Sequence, residues 1–530
     1  MRDHLMAVDI GSASARAGLF DRKGRLLARA SFPIAMVRPL PDRAEHDSDD
    51  IWRAVCRSVR AVLTEAGKGP ADVAALGFDA TCSLVIRNAA GEKLPLSEEN
   101  GTRFDTIVWL DHRARAEAEE LSATGHPAVG LAGGRMSPEM AIPKLMWLKR
   151  RRPELWQRAG QIFDLADYAT FRATGSTARS VSTLVSKWSY RADAKTGWSA
   201  EFLSLTGLDD LRERTGMPPA ASPLATSLGT LAPQAAAELG LDTACIVAPG
   251  MIDAYAGTLG LLGALVPDEL RRNPALIAGT SSCIAWLSPN LPDPLFSFWG
   301  PFRDVSVPGL WLTEGGQSAA GALLDHMVRM HAAGGEPDAA LHQRIIERIE
   351  ALMAVEGEDF GLPIDVLPDF HGNRSPYGDP QAWGMISGLT LDASFDGLCR
   401  LYWRTAVGIA CGIRDILDGI EAVNGPAAML HMAGGHARNP LLVDLYTNML
   451  DRPVAVPRAT DAVLLGTAMN AAAAAGLYTD LAQASRAMAP EREIRNPDPR
   501  RRHRHDMDYR RYQALVRHRT EMQALDQRSC

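Results

Sequence analysis

Short apolar runs that end in turns of small residues alternate along this chain with longer stretches whose apolar positions recur every three to four residues. The first pattern predicts buried strands and the second predicts helices. Leu5 to Ile10 is such a run. It ends in Gly11-Ser12-Ala13-Ser14 and is followed by a second strand, Arg16 to Phe20, a turn at Asp21-Arg22-Lys23-Gly24 and a third strand, Arg25 to Ala30. About half a chain later the design returns: Leu276 to Ala278 is a strand and Gly279-Thr280-Ser281-Ser282 is the turn, within LIAGTSSCIAWL. We read this as an internal duplication of a strand–turn–strand unit, one per domain.

Between these units, Ile246 to Ala248 predicts a buried strand closed by Pro249-Gly250. Asp253 then opens a helix rich in Ala and Gly. Asp47-Ser48 caps a helix with Ile51, Val55, Val59 and Val62 on one face. Val73 to Phe78 and Ile107 to Leu110 predict two further strands. They deliver Asp79-Ala80-Thr81-Cys82-Ser83 and Asp111-His112-Arg113 to one sheet edge, where open α/β sheets bind ligands. Helices are expected over Lys144–Arg151 and Asp164–Ala173, and short helices over 174–245. In the second half, Glu314-Gly315-Gly316-Gln317 precedes a helix from Ser318 to His331, and 368–380 is a Pro/Gly-rich loop carrying His371, Asn373 and Arg374. A long helix runs from Ser394 to Val423 with Leu398, Leu401, Thr405, Ile409, Ile413, Ile416 and Ile420 inward. The strand Met429–Met432 turns through Ala433-Gly434-Gly435-His436 into a helix from Asn439 to Leu450, and Thr460-Asp461 caps another, Ala-rich helix.

With 530 residues the chain is too long for one core, so two large domains are expected: 1–264 and 265–495, with a basic helical tail over 496–530. A net charge of −7 argues against general nucleic-acid binding. The basic runs at 149–152 and 500–505 lack interleaved aromatics, and read as solvated helix faces. Seven dispersed cysteines without a CxxC pair suggest reduced thiols in a cytoplasm. No apolar run is long enough to span a bilayer, and the first strand begins too early to leave room for a signal peptide.

The candidate chemistry has a bland alternative at each point. Asp253 is either a carboxylate presented at a strand end or a helix cap. The turns Gly11–Ser14 and Gly279–Ser282 either cradle a phosphate with backbone N–H groups or are ordinary turns. Asp111-His112-Arg113 is a sugar contact or a cap with a flanking salt bridge. Loop 368–380 reaches the cleft or satisfies itself. Lys187-Trp188 is a weaker candidate, with Trp188 read as core. There is no GxxxxGK[ST], zinc spacing, GxSxG or Rossmann GxGxxG.

Four motifs occur in order: AVDIGSASARAGLF, APGMIDAYAG, IAGTSS and MAGGHARNPLLVDLYTNMLDRPV. With TCSLV at 81–85, WLDHRA at 109–114 and PDFHGNRSP at 368–376, they resemble the FGGY family of carbohydrate kinases, and its pentulose-kinase branch most of all. The resemblance implies an α/β fold of two duplicated actin-like (ribonuclease H-like) ATPase domains around a cleft. It implies ATP and Mg²⁺, and transfer of a phosphoryl group to a ketopentose, D-ribulose giving D-ribulose 5-phosphate. Phosphoryl transfer needs positioning and charge neutralisation. By resemblance Asp253 is the general base and also a sugar contact, and Asp9 anchors Mg²⁺. Gly11, Ser12, Gly279, Thr280 and Ser281 cradle phosphates, with Arg16 adding charge if it does not point outward. Gly316, Gln317, Gly434, Gly435 and Asn439 shape the adenosine side. Asp79, Thr81, Asp111, His112 and Arg113 line the sugar pocket. His436 and Asp461 depart from the family pattern, which carries a small residue and Glu there. The expected partners are a small sugar and a second copy of the chain, with no nucleic acid and no membrane. Rival expectations are a kinase for L-ribulose, xylulose, ribitol or glycerol, a non-catalytic sensor on the same fold, and an ATPase that moves domains.

Overall fold

The computed structural model describes residues 2–458 and 461–527. Its first sheet is built on the predicted hairpin. His4–Ile10 pairs antiparallel with Ser14–Phe20, which pairs with Leu26–Pro33. On the other side His4–Ile10 runs parallel to Val73–Ala80, which in turn is parallel to both Ile246–Val247 and Met251–Ile252. The second-half sheet repeats this order. Ala275–Ala278 pairs antiparallel with Ser282–Ser288, which pairs with Trp311–Gln317, while Ala275–Ala278 runs parallel to Leu430–Ala433 and that strand parallel to Val454–Pro457. Two sheets with the same succession of three antiparallel and two parallel neighbours are the duplication seen in the sequence.

The predicted strand at Ile107–Leu110 shrinks to Thr106–Ile107 and belongs to a separate five-stranded sheet, between Leu84–Asn88 and Glu45–His46. Its continuation is pulled out of strand geometry: the Trp109 N–H donates to Ser83 Oγ at 3.2 Å and its indole N–H to Ser12 Oγ at 2.7 Å. The helix expected from Ser318 starts at Gly321, because Ala320, Gly321 and Ala322 N–H groups are taken by the carbonyls of Gly279 and Thr280. The long helix, Phe395–Asn424, has Ser394 as its N-cap, and all seven positions assigned inward are buried. Asp461 caps Ala462–Ala474 through Val463 N–H, while Thr460 lies outside the described residues.

Ala462–Ala474 packs across onto the first sheet and against Asp253–Leu262. A Cβ on Gly260 would lie 2.0 Å from Ala462 O, and one on Gly466 1.9 Å from Ala256 O, so these two helices touch backbone to backbone. In the basic run at 500–505, Arg500 to His503 are exposed, as a solvated face should be, whereas the helix beyond them is docked. Arg502–Gln527 is a helix fastened to the second half by ion pairs, among them Arg404–Asp508 and Arg519–Asp369, whose side chains are all about 3% exposed. Among the described residues no helix is long and apolar enough to cross a membrane.

Candidate active site

Three carboxyls gather at the carboxyl ends of adjacent parallel strands. Asp9 and Asp79 are register partners, Met251 is opposite Asp79, and Asp253 lies two residues further on, at the first turn of its helix. Asp253 is not the cap of that helix; Ile252 holds the N-cap position, and Asp253 Oδ1 accepts the Ala254 N–H at 2.8 Å. Burial, and then the nearby Asp9 charge, push the Asp253 carboxyl up to about 6, with Lys187 opposing and Glu314 adding to the rise. Asp253 thus feels charges from both halves, Asp9 and Lys187 from the first and Glu314 from the second.

Asp9 is also raised by burial, against the lowering pull of Arg16, whose guanidinium donates to its Oδ2. Arg16 does not point outward. It bridges Asp9 to Asp461, at 3.5 Å, and Asp461 is further flanked by Arg29 at 3.4 Å and Arg438 at 3.6 Å. The first turn is held from behind by the Trp109 indole on Ser12, while Gly11 and Ser12 remain partly exposed. In the second turn the carbonyls of Gly279 and Thr280 face the N-terminus of Gly321–Met330, and Thr280 is exposed with Gly279 and Ser281 beside it. Leu430–Ala433 runs parallel to the strand before that turn. Gly434 then adopts φ 100°, and a Cβ there would meet Ala278 O at 2.2 Å, whereas a Cβ on Gly435 would face open space. The His436 ring, held neutral by burial with its pKa down to about 4, pairs with Tyr446 OH at 3.0 Å beneath this turn.

The structure gives several of the expected contact residues internal partners. Asp79 does not face the sugar pocket: it is fully buried, its Oδ2 accepts Thr467 Oγ1 at 2.5 Å, and its carboxyl is raised by burial and by Asp9. Asp111 and Arg113 form an internal ion pair that also takes in Glu45 and the Ala44 N–H, so both are consumed by structure. Gly316 lies under the Arg374 guanidinium, and Gln317 packs its amide against Gly412, so this pair backs the 368–380 loop rather than opening toward adenosine. Asn439 spends Oδ1 capping Pro440–Leu450. Thr81 is buried, 3.4 Å from Ser83 Oγ. His112 alone of its triplet turns to the cleft, where its ring meets His371 at 4.9 Å between centroids.

The groove joins Lys187 and Arg374, both candidates from the sequence, to Trp299, Glu314, Glu139 and Tyr255, which the sequence did not single out. Trp299 receives two cations, Lys187 Nζ at 3.9 Å and the Arg374 guanidinium at 4.4 Å from the ring centroid. Arg374 pairs with Glu314 at 3.0 Å and reaches Glu139 at 3.8 Å, and Tyr255 OH donates to Glu314 at 2.9 Å. Trp188 is core, with no exposed surface. A cavity of about 60 Å³ lies between the halves, lined by His112, Arg135 and Glu139 on one side and Trp299, His371 and Arg374 on the other. A larger one, about 230 Å³, opens beside Lys187 between Met136, Met140, Tyr190 and Phe302. A Lys, a Glu and an Arg beside an aromatic wall are a natural lining for a polyhydroxylated ligand. The 368–380 loop and the Lys187-Trp188 candidate were the parts of it the sequence hinted at.

A duplicated sheet pair, a carboxyl held near neutrality in the groove between the pair and hydroxyl-bearing turns at strand ends define a phosphotransferase of the sugar-kinase type. Residues 4–260 match the N-terminal domain, and residues 275–475 the C-terminal domain, of the FGGY family of carbohydrate kinases; the chain belongs to that family. It is 37% identical to an FGGY carbohydrate kinase domain-containing protein of Homo sapiens, over 98% of each chain. It is 35% identical to a D-ribulokinase of Saccharomyces cerevisiae, over 88% of this chain and 71% of that protein. The fold is shared with crystal structures of xylulose kinases from Lactobacillus acidophilus (TM-score 0.77, 20% identical, 97% of each chain) and Rhodospirillum rubrum (TM-score 0.74, 23% identical, 98% and 99%).

Proposed function

We propose that this sugar kinase transfers the γ-phosphoryl group of ATP to the terminal 5-hydroxyl of D-ribulose, with Asp253 accepting the hydroxyl proton. The observation that carries the reading is the placement of Asp253, partly exposed at a strand end, facing Lys187 and Glu314 and raised to about 6. A general base with a pKa just below the working pH is both unprotonated and basic enough to help. The yeast relative, by its name a D-ribulokinase, supports the choice of acceptor.

The nucleotide side fits a triphosphate. Gly434 leaves no room for a side chain beside Ala278 O, Gly435 is open, and the Gly279–Ser281 turn has its carbonyls directed inward. Among the described residues no three acidic, His or Cys side chains converge as a metal cage. Mg²⁺ needs none, since one or two carboxylates and the phosphates hold it. Asp9 is the carboxylate positioned for that, and Mg²⁺ supplies charge neutralisation on the phosphates when bound. Arg16, already between Asp9 and Asp461, adds a cation at the same edge. Glu314, Lys187 and Arg374 orient the acceptor, and closure of the halves excludes water.

The test is a coupled ADP-release assay over D-ribulose, L-ribulose, xylulose, ribitol and glycerol. The expected result is the highest kcat/KM on D-ribulose. A different preferred acceptor refutes the substrate assignment, no response to any sugar favours a sensor, and ADP release without sugar favours an ATPase.

A further inference from the structure

The C-terminal helix Arg502–Gln527 lies wholly outside the matched C-terminal domain, which ends at residue 475. It nevertheless holds the loop that closes the acceptor side of the cleft. Arg519 Nη1 donates to Asp369 Oδ2, and both side chains are about 3% exposed. The other Asp369 oxygen accepts Asn373 Nδ2 at 3.0 Å. Asn373 in turn accepts the Tyr377 N–H at 3.0 Å and donates its own N–H to Asp379 O at 2.8 Å. One helical turn after Arg519, Gln523 Nε2 donates to Asp379 Oδ2 at 2.9 Å. The loop so fixed presents three groups to the first half: Gly378 O accepts Arg135 Nη1 at 3.1 Å, His371 meets His112, and Arg374, paired with Glu314 of its own half, reaches Glu139 at 3.8 Å.

We propose that Arg519 is a positioning residue for the acceptor: through Asp369 and Asn373 it sets the register of loop 368–380, and hence the placement of His371 and Arg374 at the cleft. The inference rests on the proposed function, in which the acceptor occupies that side of the groove. A buried ion pair kept only for stability would leave binding untouched when replaced by neutral groups of similar size. A pair kept to position the loop would not, because displacements of ~1 Å cost up to about a hundredfold in activity.

The experiment compares the double variant Arg519→Met/Asp369→Asn, which leaves no lone buried charge, with Gln523→Ala, Arg519→Lys and the exposed control Arg348→Ala. Melting temperature and the KM values for acceptor and ATP are measured on the full chain. The expected result is an acceptor KM raised about tenfold in the double variant, a smaller rise in Gln523→Ala, partial rescue in Arg519→Lys relative to the double variant, and ATP KM within about twofold throughout. A folded double variant with unchanged acceptor KM overturns the proposal, as does an equal rise in both KM values. If the double variant does not fold, unchanged acceptor KM in both Gln523→Ala and Arg519→Lys overturns it. Wild-type protein that turns over no acceptor overturns the functional reading and this inference with it, whereas normal wild-type turnover with unaltered variants overturns the inference alone.

Discussion

Asp253→Asn tests the site from two sides, because the same burial that tunes the carboxyl also strains the fold. The carboxyl is displaced from an ordinary 3.8 to about 6 by burial first and Asp9 second. At about 1.4 kcal/mol per pH unit this is roughly 3 kcal/mol of penalty on the ionised form. Discounted for the partial exposure of the side chain, it is about 1–2 kcal/mol. The folded-state pKa lies above the unfolded one, so the associated stability is present below pH 3.8 and is lost as pH rises through about 6. The amide carries no such loss. The nucleotide-free variant should therefore melt about 2–5 °C above wild type at pH 7, and the gap should close toward pH 4.

The same substitution removes the base. Turnover should fall about 10²- to 10⁴-fold, or roughly 3–5 kcal/mol in the barrier, with ATP affinity within about twofold because Asp253 lies on the acceptor side. The assays are differential scanning fluorimetry across pH 4–8, single-turnover phosphoryl transfer and nucleotide titration. Near wild-type turnover would refute the base assignment. Loss of turnover with a melting temperature unchanged at pH 7, or with a gain that persists at low pH, would refute the argument that burial tunes this carboxyl.

The remaining predictions probe the neighbours. The kcat/KM for acceptor should fall about tenfold per unit below pH 6, since the base must be unprotonated and its pKa is about 6; a flat profile down to pH 5 would contradict it. Gly434→Ala should raise ATP KM and lower stability, because a Cβ would meet Ala278 O at 2.2 Å, while Gly435→Ala should be neutral in both measurements. Trp109→Phe keeps an aromatic side chain but removes the indole N–H and its 2.7 Å bond to Ser12, and should lower kcat a few-fold with a modest change in melting temperature. Gly260→Ala forces a methyl to 2.0 Å from Ala462 O and should cost about 1–3 kcal/mol in denaturant unfolding.

The hairpins and the Asp253 turn were legible because strand, small-residue turn and helix start are local signals. The duplication followed from seeing the same local signal twice. Lys187 and Arg374 were named from the sequence, but their assembly with Trp299 and Glu314 was not legible, because the four come from a helix end, a loop, an edge strand and another strand far apart in the chain. No local pattern marks Glu314 as facing Asp253 rather than solvent. Asp79 and Asp111 illustrate the opposite failure. Each sits near a strand end as a ligand residue should, but burial turned one to Thr467 and the other to Arg113. Polar residues at a sheet edge announce a site without saying which of them are spent in holding it. The exposed start of the tail was legible but its docking was not, since Arg504, Arg511 and Arg519 find their acids in Asp359, Asp365 and Asp369, far back in sequence.

The position of Asp253 is set by both halves at once. Its helix carries glycines where the Ala462–Ala474 helix crosses it, and that helix carries Gly466 in return, so the two backbones meet without intervening side chains. Ala462–Ala474 begins at Asp461, which is tied to Arg16 and through it to Asp9, and contains Thr467, which is bonded to Asp79. A chain segment from the far end of the sequence thus bonds Asp79 directly, reaches Asp9 through Arg16 and packs against the helix that Asp253 begins. Close-packed backbones slide less readily than interdigitated side chains that can change rotamer. Relative motion of the halves therefore has to be taken up beyond this crossing, at the mouth of the cleft where His112, Arg135 and Glu139 meet the 368–380 loop. In the proposed reaction, Asp253, Asp9 and the Arg16 guanidinium beside Asp9 would then keep their register through any such motion.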